Sequence, residues 1–249
     1  MNLNGKHILV TGASSGIGRQ IAIDASCLGA TITITGRNQA ELKSTYTQLT
    51  GEKHSIIECD LTKTDDIKKL SAGLKELDGI VHCAGIVKPV PTKFINELQI
   101  DEVFSINFKS IVLLNAQLLQ QKKINNEASI VLISTISTMH PYFGGAIYIA
   151  SKSALEGYGK TLALEVVSKK VRVNILQPAL VKTAIYQSTI DTAFSDEEMK
   201  KYEKNYPLGI GETTDVSNAA CYLLSEKSKW ITGTLIPMDG GLTLGKLKP

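Results

Sequence analysis

The 249-residue sequence lacks the features by which composition identifies nucleic-acid-binding and membrane proteins. Its 27 basic and 24 acidic residues nearly balance, and no run of Lys or Arg exceeds two residues, which argues against a nucleic-acid-binding surface. No apolar stretch approaches the length that spans a bilayer, and the start does not read as a secretory signal. No segment rich in Pro, Gly or Ser divides the chain. These absences predict one cytoplasmic domain over residues 1–249, without membrane or nucleic-acid partners.

Cysteine is also scarce. The four thiols, Cys27, Cys59, Cys83 and Cys221, are isolated in sequence and have neither CxxC spacing nor ligand-like His neighbours. The pattern predicts reduced, structural cysteines and no metal site.

What the sequence does contain is an alternation of short β-branched runs with longer amphipathic stretches. The predicted strands are residues 7–12, 30–36, 54–59, 79–85, 129–135, 171–178 and 232–241. Nearly continuous Val/Ile strands are buried on both faces, as in a parallel sheet covered by helices on each side. The fold class is therefore predicted to be doubly wound α/β with a seven-stranded parallel sheet. Such sheets bind ligands beyond the carboxyl ends of their strands.

The first strand is followed by the glycine-rich stretch "TGASSGIG", residues 11–18. Its glycines follow a GxxxGxG spacing where a strand turns into a helix, so that a phosphate can approach backbone N–H groups and the positive end of the helix dipole. This position predicts a dinucleotide site. The predicted contacts in the turn are Gly12, Ser14, Ser15, Gly16, Ile17 and Gly18.

The second strand ends in "ITITGRNQAEL", which places Arg37 where many dinucleotide folds carry an acidic residue for the ribose hydroxyls. A guanidinium can clamp a 2′-phosphate that a carboxylate would repel. The alternative is a solvated arginine at a strand end. Because the chain contains only three arginines, we predict NADP(H) over NAD(H).

Two further strand ends extend the predicted cofactor site. Asp60 and Leu61 follow the third strand, where they would read the adenine edge; a helix N-cap is the alternative role for Asp60. Ala84 and Gly85 close the fourth strand, and their small size would let the chain pass close to the cofactor.

The stretch "VLISTISTMHPYFGGAIYIASK", residues 131–152, combines a hydroxyl cluster with Tyr148 and Lys152. Hydride transfer to a carbonyl needs an acid for the developing alkoxide. A phenol, with an ordinary pKa of about 10, serves better when a nearby ammonium lowers that pKa. Four-residue spacing puts both side chains on one helix face. Their position after the fifth strand, rather than the spacing alone, carries the prediction.

The chain resembles the short-chain dehydrogenase/reductase family in its single-domain branch, and in particular its 3-oxoacyl reductase-like members. The resemblance covers nearly the whole sequence. It includes the motifs "TGASSGIG", "CDLT", "CAG", "SINFKS", "VLIST", "YIASK", "NILQPALVKT" and a closing "ITGTLIPMDGG". It implies a seven-stranded Rossmann sheet, an NAD(P)(H) cofactor and an active site of Asn, Ser, Tyr and Lys.

By this resemblance Tyr148 is the general acid/base, Lys152 lowers its pKa and binds the nicotinamide ribose, and Asn107 holds a relay water. The family's serine usually lies 13 positions before the tyrosine, which here is Thr135, with Ser134 as the alternative. In another interpretation the hydroxyls are only strand-end and loop groups, and catalysis has weakened.

The sequence departs from the family pattern after two strands. His82 and Cys83 stand where the family often has two asparagines, so an amide that would tie neighbouring strands is missing. After the sixth strand the usual Pro-Gly is Pro-Ala. The segment still offers the nicotinamide carboxamide the predicted contacts Pro178, Val181 and Thr183.

Residues 184–210 occupy the place of the family's substrate lid. Aromatic and apolar side chains there would line a pocket, or equally belong to the core or an interface: Tyr186, Phe194, Met199, Tyr202 and Tyr206, with His140, Tyr142 and Phe143 opposite. The resemblance also implies a homotetramer.

Three functions are predicted as candidates. The first is an NADPH-dependent reductase of a small ketone or 3-oxoacyl substrate, and the second is an NAD(P)-dependent alcohol or sugar dehydrogenase. The third is a catalytically weak NADP(H)-binding regulator.

Overall fold

A computed structural model describes residues 1–183 and 203–245 and contains a seven-stranded parallel sheet. The strands are β1 (His7–Thr11), β2 (Thr31–Gly36), β3 (Ser55–Glu58), β4 (Leu77–His82), β5 (Ile124–Ile133), β6 (Arg172–Pro178) and β7 (Leu235–Met238). Their order is β3-β2-β1-β4-β5-β6-β7. The predicted doubly wound α/β class is confirmed, and the order reverses between β1 and β4.

Helices connect the strands on both faces of the sheet. They are α1 (Gly16–Cys27), α2 (Gln39–Tyr46), α3 (Thr64–Gly73), α4 (Glu97–Phe104), α5 (Ser110–Gln120), α6 (Ala146–Val166) and α7 (Thr213–Leu224). A π-helical turn, Ser105–Lys109, joins α4 to α5. Among the described residues, no helix combines the length and apolarity needed to cross a bilayer.

Alternate residues of the central strands feed two hydrophobic cores, one on each face. In β5, Ile130 and Leu132 pack with α3, α5 and α6, whereas Val131 and Ile133 pack with α1, α2 and α7. This two-sided burial is the physical reason that the strands read as continuous apolar runs.

The start of β5 differs from the prediction. The strand begins at Ile124, five residues before the predicted 129, and its pairing with β4 shifts register between Leu77 and Gly79. Glu127 takes a left-handed backbone conformation (φ 65°) within this irregular stretch. Its polar sequence, "NNEAS", hides the strand from a hydrophobicity pattern because part of it is exposed.

The strand ends lie at one edge of the sheet. Thr11 of β1 is in register with His82 of β4, and Ile133 of β5 with Leu176 of β6. The loops that follow these strands therefore begin at this edge, where the sequence predicts the candidate site.

Candidate active site

A cavity of about 640 Å³ lies along the carboxyl edge of the sheet. It extends from the glycine-rich turn, past Arg37, to Tyr148 and Lys152. Within the described residues, Arg37 and Lys152 are the only Asp, Glu, Lys or Arg side chains that line it. Its formal charge is therefore positive, and much of the remaining lining is apolar.

The glycine-rich turn packs against the end of β4. Gly12 has φ +66°, and a Cβ atom there would lie 2.7 Å from the backbone of Ala84. A Cβ on Gly18 would lie 2.4 Å from the carbonyl oxygen of Gly12. These two glycines thus permit close packing of strand, turn and helix, a requirement that comes in addition to the predicted access for a phosphate.

Nearly all predicted cofactor residues line the cavity. They are Gly12, Ser14, Ser15, Gly16, Ile17, Gly18, Arg37, Leu61, Ala84, Gly85, Tyr148, Lys152, Pro178, Val181 and Thr183.

Asp60 is the exception, because it is not among the lining residues. Its carboxylate accepts hydrogen bonds from the backbone N–H (3.1 Å) and the hydroxyl (2.7 Å) of Thr62. The N-cap of α3 is Lys63, so the alternative N-cap role for Asp60 was wrong. Burial raises the pKa of Asp60, but the Thr62 hydrogen bonds and the charges of Lys63 and Arg37 together hold it below its usual value.

The three arginines have different environments. The Arg19 guanidinium donates to Thr45 Oγ1 (3.0 Å), to the Ser14 carbonyl and to Glu41, which fixes the glycine-rich turn to α2. Arg37 is exposed at the rim of the cavity, and no hydrogen bond or ion pair links it to another described residue.

The third, Arg172, is buried and donates to the carbonyl oxygens of Leu223 (2.8 Å) and Ser225 (3.3 Å) at the end of α7. Its charge therefore stabilises the carboxyl end of that helix. With Arg19 also committed to internal contacts, Arg37 is the arginine that can meet a ligand at the cavity.

The predicted loss of a strand tie at His82 and Cys83 is compensated by Thr11. The Thr11 hydroxyl accepts hydrogen bonds from the backbone N–H groups of Cys83 (3.1 Å) and Ala84 (3.2 Å) and so links β1 to the end of β4. The His82 ring points toward α5, where its Nε2 atom lies 2.9 Å from Asn115 Oδ1. Burial lowers the pKa of His82 to about 4, which describes a neutral, packed histidine.

Asn107 lies in the π-helical turn and is fully buried. Its side-chain oxygen accepts from the backbone N–H of Ile86 (2.8 Å), and its amide donates to the Ile86 carbonyl (2.9 Å) and to Ser151 Oγ (3.1 Å). The Ser151 hydroxyl in turn donates to the Tyr148 carbonyl (2.7 Å). Asn107 therefore joins the chain after β4 to the helix that carries Tyr148. Sequence reasoning missed Ile86 and Ser151 because their contacts cross between elements.

Ser134 and Thr135 point in opposite directions, as consecutive residues of an extended chain do. The Thr135 hydroxyl acts to lower the pKa of Tyr148, donates to Ser137 Oγ (3.2 Å) and accepts from the backbone N–H of Ser137 (3.2 Å). Ser134 Oγ instead donates to Glu156 Oε1 (2.6 Å). This geometry favours Thr135 over Ser134 for the predicted serine role.

The Tyr148 phenol differs from the sequence prediction in its acidity. Burial raises its pKa above the ordinary value, although the Thr135 hydroxyl acts in the opposite direction. Lys152, which was predicted to lower this pKa, is not among the groups that shift it in the protein alone, and its Nζ lies 6.0 Å from the ring centroid. Tyr148 therefore keeps its proton at neutral pH, which is the state that a proton donor needs.

Lys152 is buried and donates to the Ile133 carbonyl (2.8 Å). Burial lowers its pKa to about 8, while Cys83 and Glu156 act in the opposite direction. The ammonium therefore carries its charge at neutral pH and loses it in mildly alkaline solution.

Cys59 and Cys83 also line the cavity, a position that their sequence context did not predict. Burial raises the pKa of Cys59 to about 11 and that of Cys83 to about 12, so both thiols are protonated near neutral pH. All four cysteines are free. Within residues 1–183 and 203–245, no three His, Cys, Asp or Glu side chains form a cluster suited to a metal ion.

The mouth of the cavity includes His140, Tyr142 and the buried Tyr206. Phe143, predicted beside them, is 88% exposed and turned to the surface. Four other aromatic and apolar residues of the predicted lid, Tyr186, Phe194, Met199 and Tyr202, lie outside the described residues, as does most of 184–210.

Replacing either hydroxyl separately tests which one serves the substrate. We expect Thr135→Val to lower kcat about 10- to 100-fold, because a buried substrate oxygen would lose its donor, worth about 1–3 kcal/mol. Ser134→Ala is the comparison variant and should cost less, because the Ser134 hydroxyl is bonded to Glu156 and would not meet the substrate oxygen. A large loss confined to the serine variant, measured by steady-state kinetics, would reverse the assignment.

Comparison with known proteins identifies the family. The family model described as enoyl-(acyl carrier protein) reductase matches residues 12–243. The chain is 32% identical to a 3-oxoacyl-(acyl-carrier-protein) reductase of Rickettsia bellii, over 98% of this chain and 99% of that protein. It is also 32% identical to a glucose 1-dehydrogenase of Gluconobacter oxydans (96% and 92% covered) and to an L-xylulose reductase of Caenorhabditis elegans (96% of each).

Solved structures agree with this assignment. A short-chain type dehydrogenase/reductase from Mycobacterium ulcerans superposes with a TM-score of 0.89 at 27% identity, covering 99% of this chain and 92% of that one. A short-chain dehydrogenase family protein from Francisella tularensis gives 0.85 at 29% identity, with 96% and 99% covered. The fold and site define an oxidoreductase acting on carbonyl or alcohol groups. The chain belongs to the short-chain dehydrogenase/reductase family.

Proposed function

We propose that this protein reduces a carbonyl group to an alcohol with NADPH as the hydride donor. The observation that carries the proposal is the convergence of Thr135, Tyr148 and Lys152 at one end of a cavity whose other end is the glycine-rich turn. Ligands in a doubly wound fold bind along this carboxyl edge of the sheet.

The residues present fit a dinucleotide. The glycine-rich turn leads into the N-terminus of α1, where backbone N–H groups and the helix dipole favour the pyrophosphate. A Cβ atom on Gly85 would lie 3.2 Å from Asn107 Oδ1 and 3.4 Å from Lys152 Nζ. The lack of a side chain at Gly85 therefore lets the backbone lie close to these two groups. When bound, the nicotinamide supplies the hydride that reaches the carbonyl carbon.

The protein's own groups then handle the carbonyl oxygen. Tyr148 donates its phenolic proton to the oxygen as negative charge develops there, and Thr135 orients the same oxygen through its hydroxyl. The Lys152 ammonium stabilises the phenolate that results and holds the ribose hydroxyls. Asn107 keeps the backbone at Ile86 in place beside this group.

Arg37 supports NADP(H) over NAD(H), because it is an exposed guanidinium on a cavity with no carboxylate among its described lining residues. We expect Arg37→Asp to weaken NADPH binding about 10- to 100-fold, since hydrogen bonds to a charged phosphate contribute about 1.5–3 kcal/mol. NADH affinity should hold or improve.

Fluorescence titration of both cofactors measures this change, and Lys227→Asp on the surface provides the control for the change in charge. An unaltered cofactor preference in the Arg37 variant would remove the basis for NADP(H).

The substrate that fits best is a ketone or 3-oxoacyl compound, because no Asp or Glu side chain is among the described residues that line the cavity and much of that lining is apolar. The sugar-related names of two relatives favour a sugar as the second candidate. A screen of NADPH oxidation against ketones, quinones, sugars and 3-oxoacyl thioesters distinguishes them. Faster NAD⁺ reduction with a sugar alcohol would favour the dehydrogenase, and cofactor binding without turnover would favour a regulator.

We also propose that the chain is a single domain that assembles into a homotetramer in the cytoplasm. Large apolar side chains left exposed in the chain support association: Leu164 on α6 is 76% exposed and Trp230, before β7, is 95% exposed. Light scattering should give the mass of four chains; a monomer at micromolar concentration would contradict this assembly. Cell fractionation checks the compartment.

A further inference from the structure

Glu156 lies on α6, four residues after Lys152 and eight after Tyr148. Its half-buried carboxylate gathers three hydrogen bonds on a single oxygen, Oε1. The donors are Ser134 Oγ (2.6 Å), Thr138 Oγ1 (3.0 Å) and Gln177 Nε2 (2.9 Å).

These donors come from different parts of the chain. Ser134 directly follows β5, Thr138 ends a short 3₁₀ turn (Ile136–Thr138), and Gln177 lies in β6. Ser134 and Thr138 stand on either side of Thr135 in sequence. The carboxylate is therefore the point at which the segment that carries Thr135 is attached to the helix that carries Tyr148.

Gln177 adds hydrogen bonds from β6 to this attachment. It is fully buried, and its amide nitrogen donates both to Glu156 and to Thr138 Oγ1 (3.1 Å). Its Oε1 atom has no hydrogen-bond partner among the described residues, so the nitrogen contacts are the ones that compensate its burial. Removing the carboxylate would take away one of them and loosen the whole group.

The hydrogen bonds that the Thr135 hydroxyl makes with Ser137 stay within its own segment and do not reach α6. The hydroxyl accepts from the Ser137 N–H (3.2 Å) and lies 3.2 Å from Ser137 Oγ, both within the same short segment. The side-chain hydrogen bonds that tie residues 134–138 to α6 are those of Ser134 and Thr138 to Glu156, and one residue earlier the Ile133 carbonyl accepts from Lys152 (2.8 Å).

We propose that Glu156 is a positioning residue that fixes the Thr135 hydroxyl relative to Tyr148 by clamping residues 134–138 onto α6. The inference rests on the proposed function for its catalytic consequence, but its structural part can be tested without any substrate.

The structural test is hydrogen exchange, read by mass spectrometry, in the peptide that covers residues 134–140. In Glu156→Ala we expect exchange there to rise about 10-fold, because opening of this segment no longer requires breaking the hydrogen bonds to Glu156. Glu156→Gln should restore much of the protection, since its amide oxygen still accepts. Glu165→Gln is the matched control, an exposed glutamate on the same helix.

Thr138→Val removes one of the donors to Glu156 and leaves the sequence of α6 unchanged. It therefore provides the test if Glu156→Ala fails to fold. It should raise exchange in the same peptide. NADPH affinity should change less than about 2-fold in all four variants when it is measured at about pH 6, well below the Lys152 pKa of about 8, because Lys152 then keeps its charge even without Glu156. Unchanged exchange in both Glu156→Ala and Thr138→Val would overturn the proposal.

The catalytic test is a double-mutant cycle in kcat with Thr135→Val. We expect Glu156→Ala to lower kcat about 10-fold with little change in KM in the wild-type background, because misplacing a catalytic hydroxyl affects the reacting geometry. In the Thr135→Val background the loss should shrink to less than about 2-fold.

Equal losses in both backgrounds would show that Glu156 does not act through Thr135. If the wild-type protein reduces no carbonyl at all, the proposed function fails, while the exchange experiment still decides whether the clamp exists.

Discussion

Tyr148→Phe is expected to lower kcat for carbonyl reduction by about 10²- to 10⁴-fold, the range attributed to a positioned general acid. The variant removes the phenolic oxygen and leaves the ring in place. Two neighbouring groups are poor substitutes as proton donors, since the His82 ring is turned toward Asn115 and neutral and the Cys83 thiol has a pKa of about 12. Binding of NADPH should change little, because the glycine-rich turn and Arg37 are untouched.

Steady-state kinetics with the best substrate from the carbonyl screen measures this loss. Tyr222→Phe on α7, whose hydroxyl contacts the Lys227 carbonyl far from the cavity, is the matched control. A Tyr148→Phe variant within about 3-fold of the wild-type kcat would show that another group supplies the proton.

Lys152→Met is expected to lower kcat about 10²- to 10³-fold, comparable with the loss of one preorganised charge-stabilising group. The buried ammonium is the cation that faces the Tyr148 ring, 6.0 Å from its centroid, and the phenolate formed by proton donation has no comparable partner among the described residues. NADPH affinity should fall as well, because the variant loses its donor to the ribose. Lys160→Met, exposed on the same helix, controls for changes in the helix.

The same lysine predicts the pH dependence. Its pKa of about 8 means that the ammonium is charged below that pH and neutral above it, so reduction should slow as the pH rises through about 8. Besides Tyr148, the titratable groups that act on it are Cys83 from the end of β4 and Glu156 from its own helix. A pH profile of kcat should show this alkaline limb in the wild type and lose it in Lys152→Met. A limb that persists in the variant would belong to another group.

The fold was largely predictable because its central strands are buried on both faces. That burial produces continuous Val/Ile runs, and all seven runs are strands. The exception is the start of β5, where "NNEAS" is polar and partly exposed, so no hydrophobic signal marks it. The strand order was not predicted, since periodicity carries no information on which strands are neighbours, and it was first seen in the structure.

The site was predictable where it depends on position after a strand. The turn at residues 11–18, Arg37 and the Tyr148–Lys152 pair all line the cavity. Counting 13 residues back from Tyr148 selected Thr135, which lines the cavity with Tyr148 and whose hydroxyl acts to lower the pKa of the phenol. The extended backbone explains this result, because its neighbour Ser134 has to point the other way.

What the sequence did not reveal are properties that depend on contacts between distant elements. The pKa of Tyr148 is raised by burial, which no local pattern reports. The interpretation of Asp60 as an N-cap was wrong because Lys63 takes that place. The Glu156 cluster joins three segments up to 43 positions apart, from Ser134 to Gln177, and no spacing rule connects them.

The most direct test of the account is transfer of label from NADPH deuterated at the nicotinamide C4 position to a carbonyl substrate, followed by mass spectrometry of the alcohol. We expect one deuterium on the new carbinol carbon with the wild-type protein. The same label should be nearly absent after equal time with Tyr148→Phe. Tight NADPH binding with no labelled alcohol from any ketone, sugar or 3-oxoacyl thioester would contradict a reductase, and equal labelling by both proteins would contradict the role of Tyr148.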